Sequence, residues 1–220
     1  MATQLFDLAV ADFARQQADD RADVGHEAGA APGRHEILDE TLDEIRMRTR
    51  DRNIPVFFDL HSLTLGVRDN SERFRRAVDT WRRWLFMLHG IHLNEEEAAV
   101  LPPERFDEET LANHVLALNT KTLHITRGER GCTAYVDDRK HIRRLDIPGI
   151  ATETRVDPTG CGDVFVAAYC ARFMKAKDIA AAVEFANRVA AQKARLAGSA
   201  EIDTLSMFRQ EENTPQERTP

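Results

Sequence analysis

Helical and strand-like patterns alternate along most of this chain of 220 residues. From residue 36 onward, stretches with apolar residues at helical spacing are followed by short apolar runs, the first of which is Ile54-Pro55-Val56-Phe57-Phe58. Such runs are typical of strands that are buried on both faces of a parallel sheet. The alternation therefore predicts an α/β fold, a three-layer α/β/α Rossmann-like sandwich with a mostly parallel central sheet.

The predicted elements cover residues 36 to 196 and include one β-hairpin. Strands are predicted at 54–58, 91–93 and 122–126. Two further strand-like runs, at 132–136 and 141–147, are joined by a short polar segment and predict the hairpin. Helices are predicted at 36–52, 71–88, 95–101, 108–118, 162–175 and 178–196. In the helix predicted at 71–88, the basic residues between Arg73 and Arg83 would form the solvated face.

Charge and composition exclude several classes of protein. The net charge of -7 argues against a nucleic-acid surface, because phosphate binding needs clustered Lys and Arg that outnumber the local acids. No apolar run approaches the ~20 residues of a membrane span, and the first residues lack the pattern of a signal peptide. The three cysteines lack metal-ligand spacing and are odd in number, which fits a reducing compartment. We therefore expect a cytoplasmic protein that binds neither nucleic acid nor membrane.

The chain divides into three predicted parts. Residues 1–34 are rich in Ala, Asp and Gly and show no sustained periodicity, so they predict a poorly defined N-terminal segment. Residues 35–208 carry the alternating pattern and predict one α/β domain. Residues 209–220 are polar and flanked by proline, and they predict a disordered tail.

The segment Asp157-Pro158-Thr159-Gly160-Cys161-Gly162-Asp163 precedes an apolar helix and has the pattern of an anion-binding turn. Gly160 and Gly162 allow a sharp turn whose backbone N–H groups point into one concavity at the positive end of the helix dipole. Asp163 is open to two interpretations. It either caps the helix, or it faces the phosphate site and takes a proton from an acceptor hydroxyl during phosphoryl transfer.

This segment resembles the Asp-Thr-x-Gly-Ala-Gly-Asp signature of the ribokinase-like (PfkB) carbohydrate kinases, with Cys161 in place of alanine. Three further elements occur in the order found in that family. They are Asn94-Glu95-Glu96-Glu97, similar to its Asn-x-x-Glu element; Thr126-Arg127-Gly128-Glu129-Arg130-Gly131, similar to its Thr-x-Gly-x-x-Gly turn; and Asn187, similar to the position beside adenine. Each element alone is typical of a helix cap, a turn or an ordinary helix residue. Their joint occurrence favours the kinase interpretation.

The resemblance implies a role for each matching residue. Asp163 would be the catalytic base, and the turn formed by Gly160, Cys161 and Gly162 would stabilise developing charge. Asn94 and Glu97 would organise Mg²⁺, through water. The residues implied in nucleotide binding are Thr126, Gly128, Gly131, Asp157, Thr159 and Asn187.

The resemblance covers about residues 36 to 205 and leaves the acceptor pocket least defined. The glycine-pair motifs and the small β lid with which family members grip the sugar have no counterpart between Met1 and Arg34. The strand end Asp59-Leu60-His61-Ser62 departs from the family's Asp-x-Asn, with His61 where an amide is expected. We expect Asp59 and His61 to contribute to the acceptor pocket, and uncovered sheet edges favour a homodimer. His89 and His92, which lack a partner in the sequence pattern, are interpreted as structural.

The function predicted by these residues is transfer of the γ-phosphoryl group of ATP to a hydroxyl of a sugar or sugar-like metabolite, with Mg²⁺. One alternative is a non-catalytic nucleotide-binding remnant of the same fold that acts through a protein partner. A second alternative is an interaction protein, whose charged segment 71–88 would be its binding surface. The second alternative leaves the glycine turns unexplained.

Overall fold

The computed structural model describes residues 39–50, 54–139, 141–151, 157–198 and 201–208. The predicted N-terminal segment, 1–34, and the predicted tail, 209–220, lie outside the described residues. The chain forms two compact units that divide between Pro148 and Gly149.

Short strands organise the first unit. In the described residues they are β1 (Phe57–Asp59), β2 (Leu65–Val67), β3 (Arg73–Arg75), β4 (Gly90–Asn94), β5 (Thr122–Thr126), β6 (Gly131–Asp137) and β7 (Ile142–Pro148). One mixed sheet has the order β1-β4-β5-β6-β7, in which β1, β4 and β5 are parallel and the β6–β7 hairpin is antiparallel. The parallel strands confirm the α/β prediction, and the hairpin lies where the sequence predicts it.

The helices also follow the sequence pattern, with one exception. Those of the first unit are α1 (Asp39–Arg50), α2 (Trp81–Phe86), α3 (Glu95–Val100) and α4 (Glu108–Ala117), and those of the second are α5 (Cys161–Ala176) and α6 (Ile179–Lys193). Side-chain caps explain where α4 and α6 begin, because Asp107 accepts from the Thr110 N–H and Asp178 from the Ala181 N–H.

The helix predicted at 71–88 is wrong. Residues 73–75 form β3, which pairs with β2 in a two-stranded antiparallel sheet, and only Trp81–Phe86 is helical. The reversal is made at Asn70, whose side chain accepts a hydrogen bond from the Glu72 N–H, and at Ser71, where φ is 63°. Gly66 lies opposite Phe74, and a Cβ at Gly66 would be 2.5 Å from the Phe74 ring. The glycine therefore leaves room for the aromatic ring across the hairpin.

The core of the first unit joins the parallel strands to the helices around them. The short apolar runs predicted from sequence supply it, because residues such as Ile91 and Leu123 are almost completely buried. The largest buried apolar side chains are Leu60, Trp81, Leu85, Leu88, Ile91, Leu93, Leu101, Leu111 and Leu123. Removing one such side chain typically costs about 2–5 kcal/mol. This packing fixes the carboxyl ends of β1, β4 and β5 along one edge of the sheet.

The second unit is built on the pair α5 and α6. Ala168 and Ala186 are fully buried, and small side chains allow two helix backbones to approach closely. Phe165 and Tyr169 add the large apolar surfaces of α5, and Tyr169 stacks on Phe173 with ring centroids 5.6 Å apart. The start of α5 is therefore held on a packed scaffold.

Candidate active site

The turn before α5 has the geometry of an anion-binding site. Gly160 precedes the helix with φ 80° and ψ 5°, a left-handed conformation that favours glycine. The Cys161 N–H closes the turn by donating to the Pro158 carbonyl oxygen at 3.1 Å. The amides of Gly160 and Gly162 donate to no acceptor within the part of the chain that the structure describes. Two backbone donors thus remain at the positive end of a 16-residue helix, as an anion requires.

Asp157 shapes this turn from within. Its Oδ1 accepts a hydrogen bond of 2.9 Å from the Thr159 N–H, and its own N–H donates to the Ala194 carbonyl oxygen at 3.1 Å. The hydrogen bonds from Thr159 hold the pKa of Asp157 below its usual value, with a smaller contribution from the charge of Lys193. The Asp157 carboxylate, which the resemblance implies in nucleotide binding, therefore accepts a hydrogen bond from the backbone of its own turn.

The predicted base and the predicted adenine neighbour also belong to the second unit. Asp163 lies in the first turn of α5 and is exposed. Asn187 lies in α6 and is half-buried.

In the first unit, Asn94 and Glu97 form a capping box at the end of β4. Asn94 Oδ1 accepts from the Glu97 N–H at 2.9 Å, and Glu97 Oε2 accepts from the Asn94 N–H at 2.8 Å. Glu97 is buried, and its Oε1 pairs with Arg75 Nη2 at 3.0 Å and His61 Nδ1 at 2.7 Å. The hydrogen bond to Glu97 raises the pKa of His61. One buried carboxylate thus joins α3, β3 and the loop after β1.

A second chain of hydrogen bonds crosses three parallel strands. His92 Nδ1 lies 3.0 Å from Asp59 Oδ2, and His92 Nε2 lies 3.2 Å from Thr126 Oγ1. The Asp59 Oδ1 accepts from the His61 N–H at 2.9 Å. Burial opposes the ionisation of Asp59, but the charge and hydrogen bond of His92, together with the N–H group and charge of His61, outweigh it, so the pKa of Asp59 is lowered. The imidazole of His92 therefore fixes an ionised carboxylate on one side and a hydroxyl on the other.

A neighbouring histidine stays neutral. His124 is the register partner of His92 on β5 and is buried. Burial, followed by the charge of His92, lowers the pKa of His124 to about 3. His124 therefore adds no positive charge beside His92 at neutral pH.

The turn after β5 is the predicted nucleotide contact. Gly128 and Gly131 have φ of 56° and 93°, and the Arg127 N–H donates to the Gly131 carbonyl oxygen at 2.8 Å. A Cβ on Gly128 would meet nothing within 4 Å, so the backbone conformation, not space, favours glycine there. Arg127 pairs with Glu108, which ties the turn to the start of α4. The turn borders a depression of about 500 Å³.

The lining of that depression is charged. Three arginines face it, and each is paired with a carboxylate: Arg127 with Glu108, Arg130 with Glu95, and Arg144 with Asp146. Paired guanidinium groups retain N–H donors for a polar ligand.

Two residues of the site have no counterpart among the sequence predictions. His92 is interpreted there as structural, but its partner Asp59 is 33 residues away in sequence and becomes its neighbour only by strand pairing. A histidine inside an otherwise apolar strand is the signal that could have indicated it. Arg75 falls in the segment predicted as a helix, where its side chain would have faced solvent.

Direct binding of Mg²⁺ by Glu97 does not fit this arrangement, because Arg75 and His61 occupy its Oε1. Within the described ranges, no group of three or more His, Cys, Asp or Glu side chains is placed to hold a metal ion. Mg²⁺ at this place would have to be held through water, and Mg²⁺ usually keeps several of its waters. In the described chain, no helix is long and apolar enough to cross a membrane.

Comparison with known proteins supports the resemblance. A family model described as pfkB family carbohydrate kinase matches residues 60–205. The ribokinase of Bacillus subtilis (strain 168) is 32% identical over 157 residues, which are 70% of this chain and 45% of that protein.

Solved structures share the fold. The ribokinase of Thermotoga maritima has a TM-score of 0.61 at 22% identity, over 79% of this chain and 54% of that one. A Burkholderia thailandensis nucleoside kinase in complex with ADP-inosine has a TM-score of 0.55 at 26% identity, over 77% and 49%. A pyrophosphate-dependent kinase in the ribokinase family, in a sulfate complex, has a TM-score of 0.57 at 20% identity, over 73% and 53%.

The chain spans about half the length of these relatives. The similarity confirms the ribokinase-like fold that the sequence predicts. The chain belongs to the pfkB family of carbohydrate kinases.

Proposed function

We propose that this chain is an ATP-dependent kinase that transfers the γ-phosphoryl group to a hydroxyl of a sugar or sugar-like metabolite. The observation that carries the proposal is the turn before α5, where the amides of Gly160 and Gly162 donate to no acceptor in the described chain and Asp163 follows at once. The relatives support both substrate classes, since one is a ribokinase and another a nucleoside kinase in complex with ADP-inosine.

Backbone donors and one carboxylate perform the chemistry. The acceptor oxygen forms a bond to the γ-phosphorus, the bond from phosphorus to the ADP oxygen breaks, and the hydroxyl proton passes to Asp163. Gly160 and Gly162 stabilise the charge that develops on the phosphoryl oxygens, because their N–H groups are already oriented before reaction. The Cys161 N–H donates within the turn, so it does not contact the phosphate but holds the N–H groups of Gly160 and Gly162 in place.

The first unit supplies the polar groups that orient the reactants. Asp59 is held ionised by His92 and accepts a hydrogen bond from an acceptor hydroxyl, while the half-exposed His61 lines the same edge. Thr126, Gly128 and Gly131 bind the nucleotide at the turn after β5. Asn94 and Glu97 would hold Mg²⁺ through water, and the ion would supply positive charge beside the phosphates.

Direct titration of the nucleotide site tests this proposal. Calorimetry with a non-hydrolysable ATP analogue, with and without Mg²⁺, should give a Kd below about 1 mM. Gly162→Pro removes one of the two open N–H donors at a position where helices tolerate proline, and it should weaken binding about tenfold or more. The matched control is Ala180→Pro, which makes the same change at the second position of α6 and should bind normally.

Four outcomes are informative. Binding that is lost in G162P and kept in A180P supports the turn as the phosphate site. Equal binding by both variants would remove the turn from the proposal. Binding of a pyrophosphate analogue without binding of the ATP analogue would replace the donor, since a pyrophosphate-dependent kinase shares the fold. Nucleotide binding without phosphoryl transfer to any sugar or nucleoside would favour the non-catalytic alternative.

A further inference from the structure

Lys193 is a fully buried lysine at the last position of α6, in the second unit. Its exposed fraction is 0%, whereas lysines almost always keep the ammonium group in water. A buried charge is stabilised only by hydrogen bonds and by opposite charge. Lys193 therefore needs an electrostatic reason for its position.

The contacts of Lys193 lead to the anion-binding turn. Within the described residues its hydrogen bond is a long one, 3.5 Å from Nζ to the Asp157 carbonyl oxygen. The next residue, Ala194, accepts the Asp157 N–H at 3.1 Å. The end of α6 thus holds both backbone groups of Asp157, and the Asp157 side chain in turn holds the Thr159 N–H.

The carboxylates of the 157–163 turn oppose the binding of a phosphate, and the charge of Lys193 reduces this repulsion. The turn contains two carboxylates, Asp157 at its start and Asp163 in the first turn of α5, and both repel a bound phosphate. Lys193 is close enough for its charge to act on Asp157. The ammonium group therefore offsets part of the negative charge of the Asp157 carboxylate beside the open amides of Gly160 and Gly162. A buried charge is also weakly screened by salt, so its effect extends across the turn.

We propose that Lys193 is a positioning residue that makes the 157–163 turn able to bind a polyphosphate anion, by holding the backbone of Asp157 and offsetting its charge. The inference rests on the proposed function for the identity of the ligand as a nucleotide phosphate. It adds a specific source of selectivity: Lys193 acts on the phosphates and not on the base or ribose.

Two substitutions separate charge from packing. Lys193→Gln keeps a hydrogen-bond donor for the Asp157 carbonyl oxygen but removes the charge, and Lys193→Arg keeps the charge. The probes are tripolyphosphate, which carries the charge of the nucleotide without its base, and adenosine, which carries the base without charge. Calorimetry at low and high salt, together with thermal unfolding, gives the affinities and verifies the fold.

The proposal expects K193Q to lose about tenfold or more in tripolyphosphate affinity while adenosine binding stays within about twofold of the unsubstituted protein. K193R should bind tripolyphosphate within about threefold of the unsubstituted protein. Unchanged tripolyphosphate binding by K193Q would overturn the role of Lys193 and leave the nucleotide site intact. Parallel loss of both probes in K193Q and K193R would also overturn it, since Lys193 would then serve packing alone. If the unsubstituted protein bound neither probe, the proposed function would fail and this inference with it.

Discussion

Glu97→Gln tests whether one buried carboxylate holds the edge of the parallel sheet together. Glu97 has 2% of its side chain exposed, and it joins Arg75, His61 and the Asn94 N–H. Glutamine has nearly the same shape but no charge, so it keeps the hydrogen bond from Asn94 and loses both ionic contacts. The substitution therefore isolates the charge of Glu97 from its packing.

The size of the effect follows from the exposure of the partners. Removing one member of a buried ion pair costs about 3–5 kcal/mol. Here the Arg75 side chain is 24% exposed and the His61 side chain 53% exposed, so water screens part of the interaction. We expect E97Q to lower the free energy of unfolding by about 2 kcal/mol, which lowers Tm by about 4–8 °C for a chain of this size.

Urea unfolding followed by circular dichroism measures this loss. The control is Glu96→Gln, on the same turn of α3 but exposed, which changes the net charge and the helix-end electrostatics equally. E96Q should lie within about 0.5 kcal/mol of the unsubstituted protein. If E97Q and E96Q unfolded at the same urea concentration, the ionic contacts of Glu97 would contribute no stability and the reasoning would be wrong.

Two further predictions concern charge. Asp163→Asn should reduce phosphoryl transfer by about 100-fold or more while leaving the affinity for the ATP analogue unchanged, because a base acts on the rate and not on donor binding. ADP release in the presence of an active acceptor measures the rate. Undiminished turnover would exclude Asp163 as the base. The pKa of His61 is raised by Glu97, so its contribution to stability is fully present below about pH 6.5 and is lost as pH rises through the higher folded pKa. Urea midpoints between pH 6 and pH 9 should therefore fall more steeply for the unsubstituted protein than for His61→Gln, and parallel curves would contradict the assignment.

The elements that the sequence predicts well are those set by local pattern. Apolar runs such as 122–126 become buried strands because their side chains are shielded from water only inside a sheet. The glycines at 160 and 162 likewise predict a turn at a helix start, which the structure contains. The helix prediction for 71–88 is wrong because the aromatic and basic residues there fit helical spacing as well as strand alternation. Asn70, a turn residue immediately before that segment, is the local signal of the reversal.

Local sequence pattern does not predict the parts of the site that depend on long-range strand pairing. Asp59 and His92 meet only because β1 lies beside β4, and His92 meets Thr126 only because β4 lies beside β5. The sequence indicates that polar residues end these strands, but it does not give the order of strands in the sheet. The capping box of Asn94 and Glu97 is local, and its sequence is typical of a helix cap, whereas its partner Arg75 comes from a different strand.

The chain of hydrogen bonds from Asp59 through His92 to Thr126 limits how this protein can be re-engineered. A single imidazole bonds to both ends, so its orientation depends on a carboxylate on β1 and a hydroxyl on β5. A substitution at Asp59 chosen to accept a new substrate would remove one of the two contacts that orient this ring, and so would affect its contact with the Thr126 hydroxyl. Libraries that vary these positions one at a time would then discard combinations that work together, so all three should be varied as one set.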